Sequence, residues 1–378
     1  MATSGNFVQL HNHTHYSLLD GASKIPDLVR RAKELNMPAV GITDHGNMHG
    51  AYEMWSTAVK EGVKPIIGIE AYVTPETARQ DQTRVSWDTN WNPDIDPQHR
   101  RRNPNDVSGG GLITHLTMWA ETDEGLVNLM KASTDANLEG RVMRYPRMDK
   151  EILAKYSKGI IASSGCPSGI IQTRLLLGQF DEALRAAGEL QDIFGRDNFY
   201  IEFMDHGLKI EKQVTDGLLD IAKKLNAPLL ATNDSHYVRA EDAGSQDAML
   251  CINSGSTLDE PGRFKFDGTG YYLKSAEEMR ELFKDIPEAC DNTLEIAERC
   301  NVMFDDHEDG AFMPQFDCPE GWDETSLFLK KVEEGLERRY DGHPPIEVLK
   351  QADYECGVIC QMQFCGYFLV VADYIQWA

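Results

Sequence analysis

The 378-residue sequence lacks the long apolar runs that mark a membrane protein. None of its apolar stretches reaches the roughly 18 residues that would indicate a spanning helix. The first residues, Met1 to Phe7, also lack the basic and apolar regions of a secretory signal peptide. We therefore expect a protein that contacts no membrane and is cytoplasmic.

Closely spaced cysteine pairs are absent as well. The eight cysteines are scattered, and no two stand in a Cys-x-x-Cys arrangement. In a cytoplasmic protein this distribution predicts reduced thiols that mostly pack as small apolar side chains. Cys356 and Cys360 lie four residues apart and would share one helix face, where packing is favoured over metal binding.

Positive charge is the third shortage. With 37 basic and 61 acidic residues, the formal net charge is −24. A protein that binds duplex DNA through a broad surface needs basic residues there. The charge therefore excludes a general duplex binder. If the chain meets nucleic acid, the attraction is local or comes from a partner segment outside this chain.

Seven short apolar or β-branched runs predict the strands of an α/β fold. Helical patterns lie between most of them, and the first starts near Pro26 and continues at helical spacing to Asn36. Alternating strands and helices predict a parallel sheet, and seven such units favour a closed barrel. The predicted strands are 7–10, 39–43, 65–73, 113–119, 159–163, 199–204 and 228–232.

Metal-binding residue types stand at or near the ends of six of these strands, which in a parallel barrel form the active face. His11 and His13 follow the first strand two residues apart and so face the same way, as do Asp234 and His236 after the seventh. A lone histidine there is more often a hydrogen-bonded core residue, but two such pairs favour a metal site. The corresponding residues between them are His45, Glu70, His115 and Cys166.

These residues resemble the PHP (polymerase and histidinol phosphatase) metal-dependent phosphoesterases, and most closely the opening of the alpha subunits of bacterial replicative DNA polymerase III. The resemblance covers nearly the whole chain and implies a distorted seven-stranded α/β barrel of PHP type, followed by a helical segment. The motifs that carry it are Phe7-Val8-Gln9-Leu10-His11-Asn12-His13-Thr14, Leu18-Leu19-Asp20-Gly21, Gly41-Ile42-Thr43-Asp44-His45-Gly46-Asn47, Lys64-Pro65-Ile66-Ile67-Gly68 and Ala231-Thr232-Asn233-Asp234.

The same resemblance implies a centre of three divalent metal ions. Imidazole, carboxylate and thiolate together favour zinc, with manganese or iron as alternatives. Asp20 enters the set mainly through the resemblance, because alone it is typical of a turn, and Cys166 would by default be a core thiol. The implied ligands and catalytic residues are His11, His13, Asp20, His45, Glu70, His115, Cys166, Asp234 and His236.

The residues themselves indicate phosphate-ester hydrolysis, and the resemblance implies 3′→5′ removal of nucleotides from single-stranded DNA ends, that is, proofreading. Two metal ions would share a hydroxide, because a bound divalent ion lowers the pKa of water to about 7. The implied partners are a single-stranded 3′ end, the remainder of the polymerase alpha subunit and other replisome subunits. Two alternatives stay open: a catalytically silent metal-bound platform of the polymerase, and a small-molecule phosphatase.

Residues 74–112 form a long insertion that contains Trp87, Trp91 and the basic run His99-Arg100-Arg101-Arg102. A solvated, variable insertion is the favoured interpretation, and a lid that handles a single strand is the alternative. His206, after the sixth strand, is an open candidate for supporting the site or contacting phosphate. His15 and His49 are expected in turns or at the surface.

We assign residues 1–285 to the phosphoesterase domain and residues 286–378 to a helical start of the polymerase palm and thumb module. The run Phe364-Cys365-Gly366-Tyr367-Phe368-Leu369-Val370-Val371-Ala372 resembles the start of that palm. No catalytic aspartate pair or Gly-rich nucleotide loop is recognisable. We expect a fragment that ends before the polymerase centre and does not synthesise DNA.

Overall fold

The computed structural model of the chain describes residues 6–87, 109–304 and 314–378. By its internal contacts the chain separates into two compact units, unit 1 from Met1 to Phe304 and unit 2 from Asp305 to Ala378. The sheet lies in unit 1. The domain boundary placed after residue 285 from the sequence stays a prediction.

The sheet of unit 1 is mixed and strongly curved around one interior. Its hydrogen-bonded order is β4-β5-β2-β3-β6-β7-β8, and β1 pairs in parallel with the first half of β2. The strands are β1 Ala39–Ile42, β2 Lys64–Val73, β3 Thr114–Ala120, β4 Arg141–Val142, β5 Tyr145–Met148, β6 Ile160–Ser163, β7 Phe199–Phe203 and β8 Leu229–Ala231.

The N-terminal segment closes the sheet into a barrel. On one side the amide of Gly41 donates to the carbonyl of Gln9 at 2.8 Å. On the other, the amide of His13 donates to the carbonyl of Ser235 at 2.7 Å, and that of Ser235 donates to His11 at 3.1 Å. The segment therefore lies between β1 and the continuation of β8. With this segment, β1, β2, β3, β6, β7 and β8 make seven strands, which confirms the seven-stranded barrel predicted from the sequence, while β4 and β5 extend from the end of β2.

Besides the short β4, which pairs antiparallel with β5, the prediction of a parallel sheet is wrong for one strand, β3. It runs antiparallel to both of its neighbours, β2 and β6. Antiparallel neighbours need no crossover to the far end of the sheet, so the long insertion 74–112 leaves and re-enters the barrel at the same end. His115 lies near the start of β3 and is thereby brought to the end of the barrel where the parallel strands finish.

Helices surround the barrel, and most of them bury an apolar face. In α1 the buried residues Ile25, Leu28, Val29 and Ala32 follow helical spacing, which confirms the helix predicted around Pro26. The helices of unit 1 are α1 Ile25–Glu34, α2 Ala51–Glu61, α3 Asp123–Glu139, α4 Lys150–Tyr156, α5 Ile170–Leu176, α6 Phe180–Phe194, α7 Lys209–Leu225, α8 Ala243–Ser254, α9 Ala276–Leu282 and α10 Pro287–Arg299.

The barrel interior is apolar at one end and polar at the other. Apolar side chains from the strands form a buried cluster that includes Trp119, Tyr200 and Leu230. Ile296 and Ala297 of α10 belong to this cluster and cover it. Two residues further along β7 the interior side chain is Glu202, which is 1% exposed. The polar end therefore faces away from α10.

The described base of the insertion is fixed to the barrel by buried polar contacts. The fully buried Arg147 guanidinium donates to the carbonyls of Arg79 at 2.7 Å, Asp81 at 2.8 Å and Leu112 at 3.2 Å. Trp87 is only 5% exposed and lies under the Arg174 guanidinium. Trp87 therefore packs inside the protein, while Trp91 and residues 99–102 lie outside the described residues.

Unit 2 is helical in its described part, residues 314–378. Its helices are α11 Glu324–Arg339, α12 Ile346–Gln361 and α13 Cys365–Trp377, which share a small core around Leu327, Phe328 and Leu369. No single helix in the described ranges is long and apolar enough to cross a membrane. In those ranges, only α12 and α13 counted as one segment have the length and apolar composition of a membrane span, and the two helices are bent by 113° relative to each other.

All eight cysteines are free thiols.

Candidate metal centre

Nine side chains meet at the polar end of the barrel, and they are the nine that the sequence singled out. The N-terminal segment and its following turn supply three of them, and the ends of β1, β2, β3, β6 and β8 supply the rest. All belong to unit 1. They are His11, His13, Asp20, His45, Glu70, His115, Cys166, Asp234 and His236.

Glu70 lies at the centre of this cluster and is fully buried. Its Oε2 atom is 2.6 Å from His45 Nδ1 and 3.5 Å from His13 Nε2. Its Oε1 atom is 3.1 Å from His115 Nδ1 and 3.5 Å from His11 Nε2. One carboxylate therefore touches four imidazoles, an arrangement suited to bridging cations.

Asp234 forms a second centre of contacts. Its Oδ1 atom lies 3.0 Å from His13 Nε2, 3.4 Å from His11 Nε2 and 3.6 Å from His236 Nδ1. The backbone of Asp234 is left-handed, with φ 45°, a conformation that aspartate tolerates better than most residues. The strand end thus turns sharply, which aims this carboxylate back into the cluster.

Asp20 and Cys166 complete the set on opposite sides. Asp20 Oδ2 is 2.8 Å from His45 Nε2 and 3.3 Å from His236 Nε2. Cys166 Sγ is 3.4 Å from His115 Nδ1. Both residues therefore contact ring nitrogens of the cluster. From the sequence without the resemblance, Asp20 would have been assigned only to a turn.

Three overlapping groups have their ligand atoms within 4.8 Å of one another, close enough for each group to bind one metal ion. Each group combines imidazole nitrogen with carboxylate oxygen or with further imidazole, a donor set that suits zinc and other divalent transition metals. The groups are His13, His45 and His236; His11, His13 and Glu70; and His45, Glu70 and His115.

Three histidines, His11, His13 and His236, each use one ring nitrogen for a hydrogen bond and direct the other to the cluster. His236 Nδ1 lies 2.8 Å from the carbonyl oxygen of Asp234, and His11 Nδ1 lies 2.8 Å from Glu202 Oε1. Both partners can only accept, so the proton sits on Nδ1 and Nε2 keeps its lone pair when the ring is neutral. His13 Nδ1 contacts Ser17 Oγ at 2.9 Å, and that hydroxyl already donates to Asp44. The three Nε2 atoms are thus free to bind a cation.

Several buried atoms of the cluster have no hydrogen-bond partner of acceptable geometry, although buried polar atoms are nearly always satisfied. Leaving such atoms unpaired costs about 1–3 kcal/mol each. Cations at the centre would satisfy all of them together, so the residues present fit a metal centre. The atoms are His11 Nε2, His13 Nε2, His45 Nδ1, Glu70 Oε2, Asp234 Oδ1 and His236 Nε2.

The electrostatics of the metal-free cluster agree with this fit. Burial, together with the positive charges of His45 and His236, lowers the pKa of His13 to about 3, so this ring is neutral at pH 7. Burial and the negative charges of Glu70 and Asp234 hold the pKa of the Cys166 thiol well above its usual value. The thiol therefore keeps its proton until a cation replaces it, because a coordinating thiol is deprotonated by its metal.

Glu202 is the functional residue that the sequence analysis missed. It lies on β7 behind His11, and its carboxylate also accepts hydrogen bonds from Ser163 and, at 2.6 Å, from Thr232. These contacts fix the orientation of the His11 ring, as carboxylates do for many metal-binding histidines. Its alternation with the buried Tyr200 on one strand was the signal that could have identified it.

His206 is held at both ring nitrogens. Nδ1 lies 2.6 Å from Glu211 Oε1, and Nε2 lies 2.8 Å from the carbonyl oxygen of Asn233. The ring therefore fixes the backbone just before Asp234, which favours the supporting role over contact with phosphate. His15 and His49 are exposed.

Two family models match the chain. Residues 9–206 match the PHP domain, and residues 326–378 match the bacterial DNA polymerase III alpha NTPase domain. Over 378 residues the chain is 50% identical to the DNA polymerase III subunit alpha of Mycobacterium tuberculosis, and over 376 residues it is 39% identical to that of Treponema pallidum. These alignments cover 100% and 99% of the chain but only 31% and 30% of the relatives.

Among solved structures the chain resembles a candidate metal-dependent phosphoesterase from Bifidobacterium adolescentis. The identity is 16% and the TM-score 0.36, over 74% of this chain and 96% of the other.

Proposed function

This chain belongs to the PHP domain family, and we propose that it removes nucleotides in the 3′→5′ direction from single-stranded DNA ends, as a proofreading phosphodiesterase. The family match covers residues 9–206, the part of the chain that contains seven of the nine cluster residues. The high identity to DNA polymerase III alpha subunits supports DNA as the substrate and DNA replication as the process.

One observation carries the proposal: the nine metal-binding side chains converge and leave buried donor atoms unpaired. Buried polar atoms are usually paired, and this one cluster leaves six of them unpaired. We propose that all nine residues bind three divalent metal ions, with zinc favoured by Cys166. Manganese or iron would serve the remaining nitrogen and oxygen ligands.

The proposed centre also accounts for how an acidic protein would attract a phosphodiester. Three divalent ions bring six positive charges, while Asp20, Glu70, Asp234 and a Cys166 thiolate bring four negative ones. The difference is about two positive charges at one spot of a chain whose net charge is −24. A phosphodiester would be drawn to this spot rather than to the surface in general.

When bound, the metal ions would supply an activated water and stabilise charge on the phosphoryl oxygens. The side chains of this protein would bind the ions and orient the ligand groups. Glu202 and Ser17 fix the rings of His11 and His13. Glu70 contacts four histidines, two from the N-terminal segment, one after β1 and one on β3. Phe266 packs its ring edge-on against His236, with centroids 4.7 Å apart, and His236 is only 2% exposed.

The relatives are about three times as long as this chain, so we propose that it works as one part of a longer polymerase. Its partners would then be the remainder of the alpha subunit, other replisome subunits and a single-stranded 3′ end. A cytoplasmic location follows from this proposal.

The test is a nuclease assay on 5′-labelled single-stranded DNA with metal-loaded protein. We expect stepwise shortening by the native protein, loss of shortening in Asp234→Asn, and native behaviour in Asp353→Asn, which changes an exposed aspartate of unit 2. A filled metal site without cleavage would contradict the exonuclease and favour a silent platform. Hydrolysis of histidinol phosphate but not DNA would favour a small-molecule phosphatase.

A further inference from the structure

Aromatic rings lead from the metal centre to the solvent. The Phe266 ring lies 4.7 Å from that of His236, at an interplanar angle of 89°. The Phe264 ring lies 6.2 Å further along, again at 89° to Phe266. Tyr271 also packs against Phe266, with centroids 4.7 Å apart. The row thus begins at a candidate ligand and ends at the protein surface.

Phe264 is held in the solvent by its neighbours. Its side chain is 60% exposed, in a connection between α8 and α9 that has few regular elements. The adjacent Arg263 makes a two-pronged ion pair with Asp247, with both N–O distances 2.6 Å, and donates to the Leu258 carbonyl at 3.1 Å. Such a planar fork is strong and directional, so it fixes the backbone that presents Phe264.

A cavity of about 340 Å³ opens beside this row. Its lining includes Phe266, Lys265, Tyr237 and Gln246. Gln246 Nε2 donates to the carbonyl of Asp20 at 3.2 Å, so one wall of the cavity is joined to the metal centre. The volume lies at the lower end of the range for small-ligand sites, roughly 300–1,000 Å³. Lys265 adds a positive charge at the rim.

We propose that Phe264 and Phe266 form a stacking platform for the nucleobase at the 3′ end of the strand, with the cavity beside them receiving that nucleoside. The proposal rests on the proposed function, because it places the scissile phosphate at the metal centre. Phe266 adjoins the centre and Phe264 faces solvent, and a flat ring can stack on any base, since every base has a π-face. This suits a proofreading site, which must accept all four nucleotides.

Stacking also fits the charge of the protein. A chain of net charge −24 gains little from bulk attraction to a strand, and phosphate contacts weaken as salt rises. Contact between rings is much less sensitive to salt. The platform would therefore supply affinity where the surface charge does not, and Lys265 would contact the flanking phosphate.

The experiment compares two single-stranded oligonucleotides that differ only at the 3′ terminus, one with a normal nucleotide and one with an abasic residue. We expect the native, metal-loaded protein to show about a tenfold higher KM for the abasic end. Phe264→Leu keeps apolar bulk but loses the flat face, and it should raise KM for the normal end to that of the abasic end. Tyr354→Leu, which removes an exposed ring of unit 2, serves as control and should keep the native preference.

Equal KM values for both ends with the native protein, or a native preference in both Phe264→Leu and Phe266→Leu, would overturn the platform while leaving the exonuclease intact. If the native protein cuts neither end, the exonuclease proposal fails instead. The same uncut oligonucleotides are then titrated against native and Phe264→Leu protein by fluorescence anisotropy. A tighter dissociation constant for the normal end, lost in the variant, would support the platform, and equal constants would overturn it.

Discussion

The Nδ1 atom of His11 lies 2.8 Å from Oε1 of Glu202, in a part of the barrel where both side chains are fully buried. Ser163 and Thr232 donate to the same carboxylate, so Glu202 has no freedom to turn away. The carboxylate therefore determines which nitrogen of His11 carries the proton and where the other one points.

Changing this contact should lower the affinity of the proposed centre for metal without unfolding the barrel. Glu202→Gln keeps the size of the side chain but presents an amide to His11 Nδ1 and loses the negative charge. Loss of such an orienting carboxylate typically lowers metal affinity about 10–100-fold. Competition with a chromogenic chelator measures this, and Glu355→Gln, an exposed site in unit 2, is the matched control. Unchanged affinity in Glu202→Gln would show that His11 is oriented by other contacts.

Removing the metal should lower the melting temperature of the protein. Without cations, six buried polar atoms are unpaired and carboxylates and imidazoles are crowded together. Thermal unfolding is measured before and after chelation, and again after zinc is returned. We expect a fall and then a recovery. A melting temperature that chelation leaves unchanged would count against a centre that stabilises the fold.

Lys274 should make stability rise with pH in the alkaline range. Burial lowers the pKa of this lysine to about 8 from 10.5, although its Nζ donates to Asn233 Oδ1 at 2.6 Å. Between these two values the unfolded chain holds a proton that the folded chain has released, so the free energy of unfolding increases with pH. Below about pH 8 both states are protonated and the effect of pH vanishes.

Urea unfolding at several pH values between 8 and 10 tests this effect. The native protein should gain more stability across that window than Lys274→Met, in which no amine titrates. The comparison isolates the lysine, because all other titrating groups are shared by the two proteins. Parallel curves would mean that the folded protein holds Lys274 in its charged form.

Two buried cysteines should be inert until the chain unfolds. Burial raises the pKa of Cys290 to about 11 and that of Cys300 to about 12. The thiolate is the reactive form, so iodoacetamide at pH 8 should modify both only in denaturant. Cys318, which is partly exposed, should react earlier. Mass spectrometry of digested protein shows the order, and early labelling of Cys300 would contradict the packing described.

The cluster could be predicted from the sequence because its members follow strand ends. Pairs two residues apart, such as His11 and His13, face one way on any strand, and parallel strands bring their ends together. Their convergence is therefore a property of local pattern plus barrel closure. Asp20 was different: its turn carries no periodicity, and its place beside His45 depends on how the turn folds back.

The direction of β3 and the contacts that support the cluster could not be predicted from residue patterns in the sequence. Nothing in the residues 113–119 distinguishes a parallel from an antiparallel strand, because alternation is the same in both directions. The direction of β3 depends on the connection that precedes it, and the sequence of that connection shows no helical pattern. Glu202 was not predicted from the sequence for a different reason. A single glutamate in an apolar strand has no partner within its own segment, and its contacts come from β6, β8 and the N-terminal segment.

The reversal of β3 has a consequence for how this family of barrels can change. Because β2 ends and β3 begins on the same rim, their connection can change in length or charge, outside the positions held by Arg147, without shifting the register of either strand. That rim is also where the nine-residue cluster opens to solvent. Changes in this connection can therefore accumulate while the barrel and its cluster stay constant.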